Sequence, residues 1–387
     1  MISQLIRITP VLVALALFPG ASSAVGASTL PPQVSEAMAQ AWPQAMAEYR
    51  RKLKEYEEAL APVTAYWNSI YEKRRGRNAK RRAGHQITLD DYVLAQPPVY
   101  TGPKKPVDPS APERPPRKEL PMVPDLIQAA VEHFQFTPQR PATDADFKRA
   151  YARVALAAGL TREQAVRVYS FETGGNGNYD MQSGYRGPGT RPISTAIGYN
   201  QLLTTNSVEL IAEQGHEIIK ALSEKAATLS GASRKTMDNK IAVLKKMYAF
   251  SRTVPDTWSE HEKLANTPQG WALHAMVLDI DVGPHLQTHK LLTSVHFARA
   301  KGYTKPLTAA ELEMMNLTGD GTGYDMVTMP RAMREQVPTA NFFQRGGYER
   351  NPVASRHNTV AKLLAITDER MDVNSAKPGA QELAAAF

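Results

Sequence analysis

The sequence predicts a mainly α protein: a helical domain over residues 125–373, preceded by a helical, basic region over 25–95. Three observations carry this. Apolar residues recur at helical spacing in both parts. The long Val/Ile/Thr alternations that mark strands are absent. Between the parts, over residues 96–124, lies a linker: ten of the 28 residues from Pro97 to Pro124 are proline, which allows neither helix nor central strand and favours an extended, stiff chain.

Residues 1–24 are expected to form a secretory signal peptide. Arg7 supplies the positive start, and Val11 to Phe18 is an apolar run too short to span a bilayer. Ser22-Ser23-Ala24 is the expected cleavage site, with Ala27 a second choice and an uncleaved anchor the alternative. Export to the periplasm follows as the expected localisation. The chain has no cysteine, which excludes a lipidated cysteine, disulfides and thiolate metal sites. An exported chain of 387 residues without disulfides needs a real core, and this length can supply one.

The net charge is +8, unevenly placed: Arg50 to Arg82 holds eleven Lys and Arg against Glu55, Glu57, Glu58 and Glu72. Such an excess suits an acidic partner. Residues 28–95 are therefore expected to localise the protein to a secretion apparatus, an anionic membrane surface or the wall, with a solvated helix face as the plain alternative. Export argues against nucleic acid. Within this region Met46, Tyr49, Leu53, Tyr56 and Leu60 form a heptad-like stripe on a helix over 43–60, opened by Pro43. A second helix is expected near Tyr66, Trp67, Ile70 and Tyr71.

In the C-terminal domain Phe147, Ala150, Tyr151 and Val154 mark one helix face, and Gly159 ends that helix. Thr161-Arg162-Glu163-Gln164 opens the next as a capping box. Later helices are expected at 205–229, 232–251, 259–265, 268–281, 285–301, 308–316 and 353–368, with a mobile tail over 374–387.

Glu172 stands out. Ala165, Val168 and Tyr169 share a face of its helix, and Glu172 follows Val168 by one turn, so its carboxyl is aimed toward the apolar side. Loss of hydration there favours the protonated acid, which is what a general acid for glycoside cleavage needs. Gly174, Gly175, Gly177 and Gly184 follow, allowing a sharp turn and close approach of a sugar.

Three short segments then resemble the soluble-lytic-transglycosylase-like branch of the lysozyme superfamily: Glu172-Thr173, Gly198-Tyr199-Asn200-Gln201 and Met315-Asn316-Leu317-Thr318-Gly319. The family shows Glu-Ser at a helix end, then Gly-Leu-Met-Gln, then Tyr-Asn-Ala-Gly, in that order. The resemblance implies a lysozyme-like helical domain, of an α+β superfamily but with little strand, with a groove for peptidoglycan glycan strands. It implies Glu172 as the one acid/base. Thr173, Tyr199, Gln201 and Asn316 fall at the other matched positions, as substrate-binding residues. Met315 stands where the family has an aromatic hydroxyl, which Tyr324 or Tyr348 is a candidate to replace. The activity implied is that of a peptidoglycan lytic transglycosylase, cleaving the MurNAc-GlcNAc β-1,4 bond to leave 1,6-anhydro ends. A muramidase on the same bond and a non-catalytic wall-binding scaffold on a degenerate lysozyme-like fold are the alternatives.

No cofactor is expected. His285 and His289 have metal-ligand spacing with Asp281 a turn before, but the segment lacks the Glu of an HExxH site, and a solvated face is the better reading. Gly319 to Met326 and Gly177 to Met181 lack a Walker ending or EF-hand spacing and are read as tight turns beside the groove, where tyrosines such as Tyr324 are placed to stack on sugars.

Overall fold

The heptad stripe runs much further than Leu60. Helix α1, Pro32–Arg82, is continuous over 51 residues. The computed structural model describes residues 32–112 and 119–387, with the side chains of 32–41 excepted, so the expected signal peptide lies outside the described residues. Pro43 and Pro62 sit inside α1, and Pro43 does not open it. Each removes one ladder bond, but the surrounding Ala, Glu, Lys, Arg and Leu are strong helix formers. Ion pairs such as Arg51–Glu55 at 2.5 Å and Lys52–Glu48 at 3.1 Å line its exposed face.

The described residues form two compact units, one comprising residues 32–59 with 101–112, the other residues 60–100 with 119–387. The basic region over 25–95 is therefore not a separate piece: from Leu60 onward it belongs to the same unit as the C-terminal helices. The stripe explains why. It continues as Val63, Trp67 and Ile70, then turns into Arg74, Arg77 and Arg81 at the same spacing. Arg74 donates to the carbonyls of Asn341 (3.0 Å) and Phe343 (2.9 Å). Arg77, 1% exposed, donates to Asp91 O at 2.9 Å and lies 4.3 Å over the Tyr92 ring. Arg81 pairs with Asp325. Four of the eleven basic residues, Arg74, Arg77, Lys80 and Arg81, are partly or fully buried, and the other seven stay exposed.

Around this seam a second apolar core gathers Tyr92, Met326, Phe342, Phe343, Tyr348 and Leu363, with Tyr66 and Trp67 packed on it. The main core is built by the helices that follow. These are α2 (Val123–Phe134), α3 (Asp144–Ala157), α4 (Arg162–Thr173), α5 (Thr204–Ala227), α6 (Gly231–Ser251), α7 (Trp258–Ala265), α8 (Pro268–His274), α9 (Gly283–Ala300) and α10 (Ala309–Thr318). Then come α11 (Asp320–Thr328), α12 (Arg331–Arg334), α13 (Arg345–Glu349), α14 (Pro352–Arg356), α15 (Val360–Ser375) and α16 (Pro378–Ala386). The protein is mainly α, as predicted. Among the described residues the only β pairing is isolated bridges, Gln182↔Ile197, Ile197↔Leu202 and Pro338↔Thr359.

Three expectations are corrected. The glycine-rich stretch from Gly319 is not a tight turn but the start of α11. Its Gly323 is needed for packing: a Cβ there would fall 2.3 Å from Met315 Cα. The helix expected over 268–281 stops at His274 and passes into a 3₁₀ turn, because the Asp279 carboxylate draws Asp281 N (2.9 Å) and Val282 N (3.1 Å) into a new start. The tail is not mobile: α16 is docked, with Ala380 and Leu383 fully buried, Ala380 N bonded to Gly175 O at 2.8 Å and Lys148 paired with Glu382 at 2.5 Å. Its apolar face is made mostly of alanines, whose burial signal in the sequence is weak.

Candidate active site

Helix α4 is fixed at both ends. Thr161 and Gln164 cap its start reciprocally at 3.1 Å, and Gln164 Nε2 donates to Leu307 O at 2.8 Å, tying α4 to the segment before α10. Gly174 ends it in the left-handed region, φ 66°. With Ala165, Val168 and Tyr169 fully buried beneath, the half-buried Glu172 reaches toward α10. There Asn316 Nδ2 donates to Glu172 Oε1 at 3.1 Å. Two residues 144 positions apart in the chain thus meet.

Helix α10 brings a second acid. Glu313, one turn before Asn316 and 1% exposed, receives the same Asn316 amide at 3.4 Å, so the two acids share one donor. Burial pushes Glu172 up to about 7, against the pull of Lys290, Asn316 and Glu313. Glu313 stands well above the ordinary carboxyl range, through burial first and the Glu172 charge second. Lys290 of α9 is lowered by burial, while Glu172, Glu313, Glu209 and Asp320 act to raise it.

Asn316 and Lys290 also line a cleft of about 490 Å³. Its walls carry Glu209 and Glu213 from α5, Thr293 and Ser294 from α9, and Asp320 from the start of α11. Trp258, the first residue of α7, stands in it 45% exposed. Glu209 is raised to about 7 by burial and then by Glu213. A larger hollow of about 1030 Å³ between Pro121, Ile193 and Trp271 contains none of the groups around Glu172. The chemistry points to the smaller cleft.

The other predicted site residues are not gathered there. Thr173 is buried and its hydroxyl donates back to Tyr169 O at 2.7 Å, a bond within α4. Tyr199 is a core residue, fully buried among the rings of Phe147, Tyr151 and Tyr169, with its hydroxyl donating to Asp144 Oδ1 at 3.0 Å. Gln201 is half-exposed at φ 44°, and its amide donates to Gly198 O at 2.8 Å and Met181 O at 3.2 Å. It closes the turn between Ile197 and Leu202. Tyr324 packs on Phe297 and Tyr303, donates to Lys301 O at 3.2 Å and does not line the cleft. Tyr348 belongs to the second core against Trp67. Met315 is the exception: packed beneath α11 and without exposed surface, it belongs to the cleft wall beside Asn316.

Glu313, Lys290, Glu209 and Trp258 were not singled out from sequence. Glu313 carried a usable signal, standing three residues before Asn316 and so on the same helix face. The others carried none, because only packing brings α5, α7 and α9 to one cleft. The His285 and His289 rings lie parallel, 6.4 Å apart, and burial lowers His285 to about 4. Among the described residues no group of three His, Asp or Glu is placed to hold a metal ion. Comparison with known protein families, curated proteins and solved structures finds no match to this chain.

Proposed function

We propose that the protein is a peptidoglycan lytic transglycosylase on a lysozyme-like helical domain, exported to the periplasm, with Glu172 as its acid/base. The observation that carries this reading is the contact of Glu172, a carboxyl raised to about 7, with Asn316, which lines the cleft although Glu172 itself does not. In the proposed reaction protonated Glu172 gives its proton to the glycosidic oxygen as the C1–O bond breaks. The substrate's acetamido group supports the positive charge at C1. The Glu172 carboxylate then takes the proton of the muramic acid 6-hydroxyl as that oxygen bonds to C1. The proton count closes without water, and a 1,6-anhydro end results.

A hydrolase of the usual kind needs two carboxyls roughly 5 Å or more apart across the bond. Glu313, 1% exposed, is too deeply buried to play that second part, while Glu209, Glu213 and Asp320 on the cleft walls keep a muramidase as the alternative on the same bond. The inward turn of Thr173 and Tyr199, and the burial of Met315, favour the remaining alternative, a wall-binding protein without turnover. The role of residues 28–95 narrows as well: Arg50, Lys52 and Lys54 remain exposed for an anionic membrane, wall or secretion-apparatus partner, while Arg74 and Arg77 do not.

The test is digestion of isolated sacculi, with the released fragments weighed by mass spectrometry. Fragments one water lighter than hydrolysis products are expected, with Glu172→Gln lowering the rate by about 10²–10⁴-fold. Ordinary reducing ends would make it a hydrolase. No release, with the protein retained on the pellet, would establish the wall-binding reading.

A further inference from the structure

Glu313 has no role in the single-carboxyl mechanism, yet it is the most deeply buried acid beside Glu172. An ionised carboxylate 1% exposed, next to a second carboxyl, is costly unless it keeps its proton. A carboxylic acid that keeps its proton is a donor, and the Glu172 carboxyl, which shares the Asn316 amide with it, is the neighbouring acceptor. Asn316 donates to both acids from the next turn, at 3.1 Å and 3.4 Å, so the two carboxyls and the amide form one closed set. The charged group facing the two acids is Lys290 from α9, which itself also faces Glu209 from α5 and Asp320 from α11. Only Lys290 among these is cationic, and no ion pair to a carboxylate within 4 Å is formed by it among the described residues. Neutralisation of Glu313 by a salt bridge is therefore not on offer.

We infer that Glu313 is a positioning residue for Glu172: a buried carboxylic acid that donates its proton in a hydrogen bond to the Glu172 carboxylate and, with Asn316, holds that carboxylate behind the cleft wall that Asn316 lines. Glu313 touches no substrate. It steadies the state of Glu172 that exists after the proton has been given away, the state that must then act as a base. Asn316 donates to Glu172 Oε1, and Glu313 supplies a second donor.

The consequence for turnover rests on the proposed function, but the hydrogen bond does not. The experiment therefore titrates Glu172 directly, by carbon-detected NMR of its carboxyl in the full chain, alongside the pH profile of sacculus digestion. Glu313→Gln keeps a donor of the same shape and is expected to leave the Glu172 midpoint within about half a unit. Glu313→Leu removes the donor. A hydrogen bond to a charged group is worth about 1.5–3 kcal/mol, so the midpoint should rise by about one to two units. The pH profile should shift with it. An unchanged midpoint in Glu313→Leu, or an equal rise in both variants, overturns the inference. If the midpoints move as expected while even the wild type releases no glycan, the transglycosylase reading fails and the role of Glu313 stands.

Discussion

Gly323→Ala tests the packing that builds the site. The added Cβ would lie 2.3 Å from Met315 Cα, 2.7 Å from Met315 N and 2.8 Å from Met314 O, all backbone. No rotamer change relieves a clash with backbone. Ordinary carbon contacts are about 3.5–4.0 Å, so α11 must retreat from α10 by more than about 1 Å. Overpacking of this kind costs about 3 kcal/mol at its upper range, offset by about 1 kcal/mol of helix propensity gained on replacing glycine. The net loss is about 2 kcal/mol, a fall in melting temperature of roughly 4–8 °C. Gly321 in the same helix is the control: its Cβ meets nothing closer than Phe297 at 4.0 Å, so Gly321→Ala should be neutral or stabilising. Because α10 carries Glu313 and Asn316, Gly323→Ala should also slow sacculus digestion, by as much as about 10²-fold for a 1 Å misplacement. The assays are thermal unfolding by circular dichroism and the digestion rate. Equal melting temperatures for the two variants would refute the close crossing of α10 and α11.

Trp258→Ala removes an exposed indole from the cleft while leaving the core untouched, so KM for soluble glycan fragments should rise about three- to tenfold with kcat and melting temperature unchanged. An unaltered KM would remove Trp258 from the binding surface. Glu172 and Glu209, both raised to about 7 from 4.5, hold protons in the folded chain that the unfolded chain releases near pH 4.5. Stability should thus fall as pH rises from about 4.5 to 7 and then level off. Glu172→Gln should accordingly be more stable than the wild type at pH 8, with the gap closing toward pH 4, measured by urea unfolding. As a proton donor, Glu172 should also give a cleavage rate that declines above pH 7. Leu383→Ala, in the docked C-terminal helix, should cost about 2–4 kcal/mol in urea, where a mobile tail would show no change.

What the sequence by itself determined is what nearest neighbours along the chain decide. Helical spacing predicted α3 to α7, α9 and α10 closely, since each turn shows its own apolar face. The capping box at Thr161 and the glycine at 174 set the ends of α4, and hence the place of Glu172 at its last turn. The motif order singled out Glu172 and Asn316 separately, and the fold brings the two together. What only tertiary structure decided is which faces those residues turn to one another. Tyr199 and Thr173 looked like groove residues by motif position, but a cluster of tyrosines closes over the first and a helical carbonyl takes the hydroxyl of the second. Arg77 looked like surface charge, yet its stripe position sends it under Phe342 and Tyr92, where carbonyls and Asp325 answer it. Glu313 became a partner of Glu172 only because α10 crosses α4 there, and Gly323 lets α11 press close enough to hold α10 in place. Propensity and periodicity are local; burial, which raises Glu172 toward neutral pH, is a property of the packed whole.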